Sequence, residues 1–153
     1  MCNDFGHRVT YREYVDAFGQ LKLPLNFPQG APNLEPREDI RPTDVAPVIK
    51  GLAGGGGEFA QMRWGFPPGR PKRPPVINMR SEGRRFRHGR GLVPASWFYE
   101  FTGKKSPKSK WRFTRADGEW LCFAGLWRPS DDGDRFTMLT TVPGPDIEPI
   151  HDR

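Results

Sequence analysis

From residue 91 onward the chain is a succession of short β-forming runs, and this pattern does most to limit the folds it can reach. "GLVPASWFYEF", "KWRFT", "EWLCFAGLW" and "RFTMLTTV" are dense in aromatic and β-branched residues. Turn signals separate them, among them Ala116-Asp117-Gly118 and Asp131-Asp132-Gly133. Runs this short, joined by turns, pair with their neighbours in antiparallel fashion. The expected class is α+β: a mostly antiparallel sheet, or an irregular β-barrel-like core, with few short helices and no internal repeat.

The amino-terminal part fits that plan. Thr10 and Glu13 have the spacing of a capping box; Tyr11, Tyr14, Val15 and Phe18 share one helical face, and Gly19 is placed to end the helix. Residues 21–42 are proline-rich and lead into "RPTDVAPVI", where Val45 to Ile49 read as a strand, at a sheet edge because Pro47 lacks an N–H. "GLAGGGG" reads as a flexible connector. Alternation of Ala60, Met62, Trp64 and Phe66 predicts the next strand, followed by a proline-rich turn and a short "VIN" strand.

A length of 153 residues suits one domain, 1–153, and 35% hydrophobic content is enough for a core. No apolar run approaches the roughly 18 residues of a membrane span, and the amino terminus lacks the basic-then-apolar order of a signal peptide. A cytoplasmic monomer is expected. Cys2 and Cys122 are far apart in sequence, and the second lies in an apolar run, which points to a reducing compartment and a buried Cys122 rather than a disulfide. Three scattered histidines argue against a zinc site, and no metal or cofactor is expected.

The net charge of +6 conceals a sharper asymmetry. Residues 63–90 hold nine Lys/Arg against one acid, residues 104–115 hold six against none, and the remainder sums to −8. Trp64, Phe66, Phe86, Trp111 and Phe113 stand among those cations. Cations for phosphates and aromatic faces for unpaired bases are what a single-stranded nucleic-acid site requires; a solvated basic surface is the plainer alternative.

Several residues stand out chemically. Cys2 follows the initiator methionine and is small enough for that methionine to be removed. It would then carry a 1,2-aminothiol, with an amine pKa of roughly 8 and a thiol pKa of about 8.5, able to offer an aldehyde two nucleophiles. The alternative is an ordinary residue in a frayed terminus. Glu100 follows "WFY" and precedes Phe101; burial there would raise its pKa toward neutrality and suit proton transfer, unless it is a structural partner of an arginine. Asn78 can orient a nucleophile or a sugar hydroxyl without titrating, or simply cap a turn. Arg80, two residues on, can hold a phosphate. His151 has an unperturbed pKa near 6.5, suited to proton shuttling, although a histidine so placed is more often solvated. His7 and His88 have no supporting context.

Taken together, these stretches resemble the SOS-response-associated peptidase (SRAP) family along essentially the whole chain. The matches are Met1-Cys2; "RPTDVAPVI"; "RWGF"; "NMRSEG", like N-A-R-S-E; "RGLVPASWFYEF", like R-C-L-I-P-A-x-G-F-Y-E-W; "FAGLW"; and "LTTVPGPDIEPIHDR", like T-x-A-N-x-x-I-x-x-I-H-x-R. The resemblance implies a sensor of abasic sites in single-stranded DNA that forms a thiazolidine between the amino-terminal cysteine and the ring-opened sugar aldehyde, shielding the lesion. It assigns catalytic roles to Cys2, Asn78, Glu100 and His151. It assigns DNA contacts to Arg80, Arg153 and Trp64, and Arg63 in the same "RWGF" motif is a further candidate. Lyase activity and self-removal of residues ahead of the cysteine are implied as accompanying activities.

The chain departs from the family pattern at four points. Asn3 and Asp4 follow Cys2 where M-C-G-R is common, so a phosphate-binding arginine is missing there, with Arg8 the nearest substitute. Gly91 and Trp97 replace residues that are usually Cys and Gly. The family continues past its histidine motif, so the carboxy-terminal segment is expected to be lacking. Two other functions fit parts of the sequence. A noncovalent single-strand-binding module would use only the basic runs and aromatics, with salt-sensitive binding indifferent to Cys2. An amino-terminal-nucleophile hydrolase would pair Cys2 with His151 and have no use for the cations.

Overall fold

Thr10 starts the one helix found among the described residues: its side chain accepts from the Glu13 N–H while the Glu13 carboxylate accepts from the Thr10 N–H, at 3.3 and 2.7 Å. The computed structural model describes residues 2–151. The helix, α1, spans Tyr11–Gln20 and ends where Leu21 donates to the Ala17 carbonyl and Lys22 turns to φ 53°. Tyr14 and Phe18 are buried, whereas Tyr11 and Val15 are partly exposed, Tyr11 lying edge-on to Phe27 at 4.8 Å.

The rest is sheet. In chain order the strands are β1 (Phe5–His7), β2 (Leu25–Asn26), β3 (Arg37–Ile40), β4 (Val45–Gly51), β5 (Gly57–Trp64), β6 (Asn78–Arg80), β7 (Arg90–Ala95), β8 (Trp97–Thr102), β9 (Ser109–Phe113), β10 (Leu121–Arg128) and β11 (Arg135–Thr140). One sheet has four antiparallel strands in the order β3-β1-β8-β9. The other has seven, in the order β2-β5-β4-β7-β10-β11-β6. A short parallel seam, Arg135 with Arg63 and Phe136 with Trp64, also joins β11 to β5. That seam curls the larger sheet into a partly closed ring without completing a barrel. The fold is therefore α+β and mostly antiparallel, with one helix among the described residues.

Two sequence expectations change. "GLAGGGG" is the tight turn of the β4–β5 hairpin rather than a loose connector: Gly55 donates to the Leu52 carbonyl, and Gly55 and Gly56 take φ of 90° and 77°, a region that disfavours side chains. The strand carrying Pro47 lies inside the sheet, between β5 and β7. It tolerates proline because β7 pairs with it only at Ile49 and Lys50, so that Pro47 has a single paired neighbour, at Gln61.

The main core is Phe5, Ile40, Ala46, Val48, Met62, Trp64, Val93, Ala95, Phe136 and Met138, with Cys2 packed among them. A second cluster forms where α1 brings Tyr14 and Phe18, with Val9 just ahead of the helix, against Ile49 and Phe59. Gly6 explains how β1 fits against β8. A Cβ at Gly6 would stand 2.0 Å from the Trp97 ring, so the glycine makes room for a tryptophan directly opposite it in the ladder.

His7 is buried and lies 2.7 Å through Nε2 from the Tyr14 hydroxyl, and burial lowers its pKa to about 4. The unfolded chain takes up that proton near pH 6.5, the folded chain only near 4. The stability associated with His7 is therefore intact above pH 6.5 and drains as pH falls toward 4, by about 3 kcal/mol in all. Urea unfolding at stepped pH should show this fall in the wild type and a shallower one in His7→Gln; parallel profiles would refute it.

Candidate functional site

The amino terminus is held in place by β-sheet register. Phe5 pairs with Phe98 and Gly6 with Trp97, and the Tyr99 N–H donates to the Asp4 carbonyl at 2.9 Å, carrying the β1–β8 ladder beyond the strand toward Cys2. Cys2 is thereby set against Glu100 and is 7% exposed, part of the packed core rather than frayed. Its Sγ donates to the Asp4 carbonyl at 3.5 Å. Burial pushes the thiol up to about 12, and the neighbouring Glu100 carboxylate adds to the rise. At neutral pH the sulfur is a protonated thiol.

Asn78 opens β6, which lies parallel to β11 with Asn78 opposite Met138. Its Nδ2 donates to the Cys2 carbonyl at 2.8 Å, while its Oδ1 is buried with no partner among the described residues. Glu100 is 3% exposed. His151 ends a turn in which its N–H donates to the Ile147 carbonyl, and its Nε2 stands 3.9 Å from Glu100 Oε2. Cys2, Asn78 and Glu100 line one cavity of about 180 Å³ with Phe98, Phe123 and the segment 138–144. Four residues spread from position 2 to position 151 thus meet at one place.

The DNA-contact candidates divide. Arg80 is exposed and, two residues along β6, lies on the same side of the strand as Asn78. Arg63 is outside the cavity lining; it donates to the Thr43 carbonyl at 2.9 Å and faces Asp132 at 3.9 Å, so its charge is already engaged. Arg153 lies outside the described residues. Trp64, expected at the DNA-facing surface, is instead inside the core. It is fully buried, stacked on Phe136 at 6.1 Å, edge-on to Phe5 at 5.3 Å, and donates from Nε1 to the Ile77 carbonyl at 2.9 Å. With both faces covered it has none to offer a base. Trp64→Ala should therefore destabilise the whole fold by about 3–5 kcal/mol in chemical denaturation; near-normal stability with a selective loss of DNA binding would contradict this.

Other expectations are also revised. Cys122 keeps part of its surface in solvent instead of being buried in the main core: it is on the other face of β10, where it lines a cavity with Phe18, Ile49 and Trp120 and burial still pushes its thiol up to about 12. Arg8 does not stand in for a phosphate-binding arginine beside Cys2: it pairs with Glu38 and lies over the Trp97 ring at 4.9 Å.

The role of Asp4 emerges only from the packing around it. Its buried carboxylate accepts from Lys110 Nζ at 2.9 Å, with Arg41 at 3.8 Å. Lys110 also binds Asp39 at 2.5 Å and sits over the Tyr99 ring at 3.7 Å. Burial raises the Asp4 carboxyl above its usual range, and Lys110 partly opposes the rise. This pair ties the residues next to Cys2 down onto β9. The available signal was the unusual acid beside a possible amino-terminal nucleophile.

The fold is shared with solved structures. A protein from Bordetella bronchiseptica superposes with a TM-score of 0.69 at 26% identity, covering 98% of this chain and 78% of that one. A Bacteroides thetaiotaomicron protein has a TM-score of 0.66 at 15% identity, over 97% of this chain and 72% of that one, a likeness of fold alone. Among curated proteins, abasic site processing protein YoqW of Bacillus subtilis is 28% identical over 173 residues, all of this chain and 74% of its own length. Abasic site processing protein YedK of Escherichia coli is 29% identical over 102 residues, 59% of this chain; the match spans 46% of YedK, less than half its length. The family model described as SOS response associated peptidase (SRAP) matches residues 1–153, and this chain belongs to the SRAP family.

Proposed function

We propose that this chain recognises abasic sites in single-stranded DNA and, once Met1 is removed, joins them covalently through Cys2. The observation that carries the reading is the cavity lined by Cys2, Asn78 and Glu100, with His151 facing Glu100. Its volume of about 180 Å³ is some six waters' worth, a scale that suits a sugar without its base. The names of YoqW and YedK, both abasic site processing proteins, support the same substrate.

Burial of the sulfur supports an order of events in which the amine acts first. A protonated, buried sulfur is a poor first nucleophile, so the Cys2 amine attacks the C1′ aldehyde of the ring-opened sugar. The carbinolamine loses its hydroxyl as water, with Glu100 giving and taking the proton, and an imine results. The thiol then adds to the imine carbon, its proton passes to the nitrogen, and a five-membered thiazolidine closes. The net balance is aldehyde plus aminothiol giving thiazolidine plus one water. Ring closure profits from the high effective concentration of a nucleophile on the same residue. His151 handles the proton on the sugar oxygen during ring opening. Asn78 holds the Cys2 carbonyl, and its unpaired Oδ1 accepts from the new amine or a sugar hydroxyl. Arg80 meets a flanking phosphate. Strand cleavage from the imine and removal of residues ahead of Cys2 are accompanying activities of the same groups.

A denaturing gel of the Met1-processed protein mixed with abasic single-stranded DNA tests the proposal. A band that survives heating is expected with the abasic strand and not with an intact one. Salt-sensitive binding of both strands alike, without such a band, would favour noncovalent binding instead.

A further inference from the structure

We propose that Trp111 is a stacking platform for the unpaired base beside the lesion, so that the site takes the baseless sugar and one neighbouring base together. The inference rests on the DNA reading above and adds a subsite to it.

Trp111 is directly opposite Glu100 in the β8–β9 ladder. Opposed residues of an antiparallel pair project from the same sheet face with Cβ atoms roughly 5 Å apart, so the indole emerges on the face that carries the cavity's β8 wall. Phe113 is on that face too, opposite Phe98 and stacked on it at 5.0 Å and 13°. Phe98 in turn meets Phe123, at 5.5 Å, and both line the cavity. Aromatic surface therefore extends from the cavity to the edge strand.

Trp111 differs from the other tryptophans in exposure. Trp64 and Trp97 are buried, Trp120 and Trp127 partly so, and Trp111 is 47% exposed. Leaving so large an apolar ring in water forgoes much of the stabilisation it could supply to a core. The ring is nonetheless oriented, because Nε1 donates to Thr102 Oγ1 at 2.9 Å. A ring held in place with open surface can receive a planar partner without first losing rotamer freedom.

The surrounding charge selects the kind of partner. Lys110 and Arg112 alternate to the opposite face, over Tyr99 at 3.7 Å and Trp97 at 3.9 Å, and leave the Trp111 face free of their bulk. The exposed hairpin tip holds Lys104, Lys105 and Lys108, in a run with no acid. A π-face beside a cluster of lysines suits a base attached to a phosphate backbone, and stacking of this kind tolerates any base.

The test uses single-stranded oligonucleotides with a tetrahydrofuran abasic analogue, which binds without crosslinking. In one series both neighbouring nucleotides carry bases, with 2-aminopurine placed on the 5′ side in one oligonucleotide and on the 3′ side in another. In a second series both neighbours also lack bases. Wild-type protein is expected to quench 2-aminopurine on one side and to prefer base-bearing neighbours by about tenfold. Trp111→Ala should lose the quenching and bring the preference near one, while Trp111→Phe should recover part of both. Equal preferences in wild type and Trp111→Ala, or undiminished quenching in the variant, would overturn the platform. If that happens while the wild type still forms a heat-stable adduct with authentic abasic DNA, the DNA reading stands and only the subsite falls. Absence of both adduct and binding would remove the two together.

Discussion

Cys2→Ala protein with Met1 removed is expected to form no heat-stable adduct with abasic single-stranded DNA, yet still to be trapped on it by borohydride. The substitution keeps the free amine, so an imine still forms and can be reduced; it removes the sulfur that closes the ring. The converse change separates the two groups. A retained methionine or a tag ahead of Cys2 leaves the thiol but converts the amine to an amide, whose nitrogen is not a useful nucleophile, so adduct and borohydride trapping should both vanish. The protonated state of the buried thiol points the same way, since sulfur attack on the aldehyde would have to begin from a group whose pKa is about 12. A heat-stable adduct from an amino-terminally blocked protein would show that the sulfur acts first. Because Cys2 is also a core residue, each variant should be checked for an unchanged unfolding midpoint.

Glu100→Gln should slow crosslinking by roughly 10²–10⁴-fold while leaving noncovalent affinity for abasic DNA largely in place. The amide keeps the shape of the carboxylate and its place in the cavity wall but cannot carry a proton between the carbinolamine and water. Single-turnover crosslinking, read against the affinity for a non-reactive abasic analogue, separates the two effects. An unchanged rate would return Glu100 to a structural role. A parallel loss of rate and affinity would mean that it holds the sugar rather than moving protons.

Local features were legible in the sequence because their causes lie within a few residues. The capping box needs only Thr10 and Glu13, three positions apart, and both of its hydrogen bonds form. Alternation from Ala60 to Trp64 follows from the period of a strand, and Met62 and Trp64 are buried as that period requires; Phe66 is buried too, but beyond the strand's end, after Gly65 at φ 111°. Errors arose where the outcome depends on a neighbour that the local pattern does not specify. Pro47 suggested an edge, but edge position depends on what lies on the second side. Trp64 among cations suggests an exposed platform, but alternation says only that it faces with Met62, and that face is the core. Cys122 shows the complementary case: its apolar run includes both faces of β10, and its own face is covered only in part, with Leu126 buried there while Cys122 keeps access to solvent.

By itself, then, the sequence determined the strand-and-turn class, the single capped helix, the two cationic runs, and the presence of Cys2, Asn78, Glu100 and His151 in a family pattern. Only the tertiary structure decided that these four converge. Their meeting depends on the β1–β8 register, which sets Cys2 beside Glu100, and on the parallel pairing of β6 with β11, which brings the Asn78 amide to the Cys2 carbonyl. It also decided which aromatic rings remain open to a ligand, burying Trp64 and leaving Trp111 exposed. The physical reason is that register and burial are properties of paired segments far apart in the chain. A shift of one residue in either pairing would turn a strand's side chains to the opposite face and disperse the site without altering any local propensity.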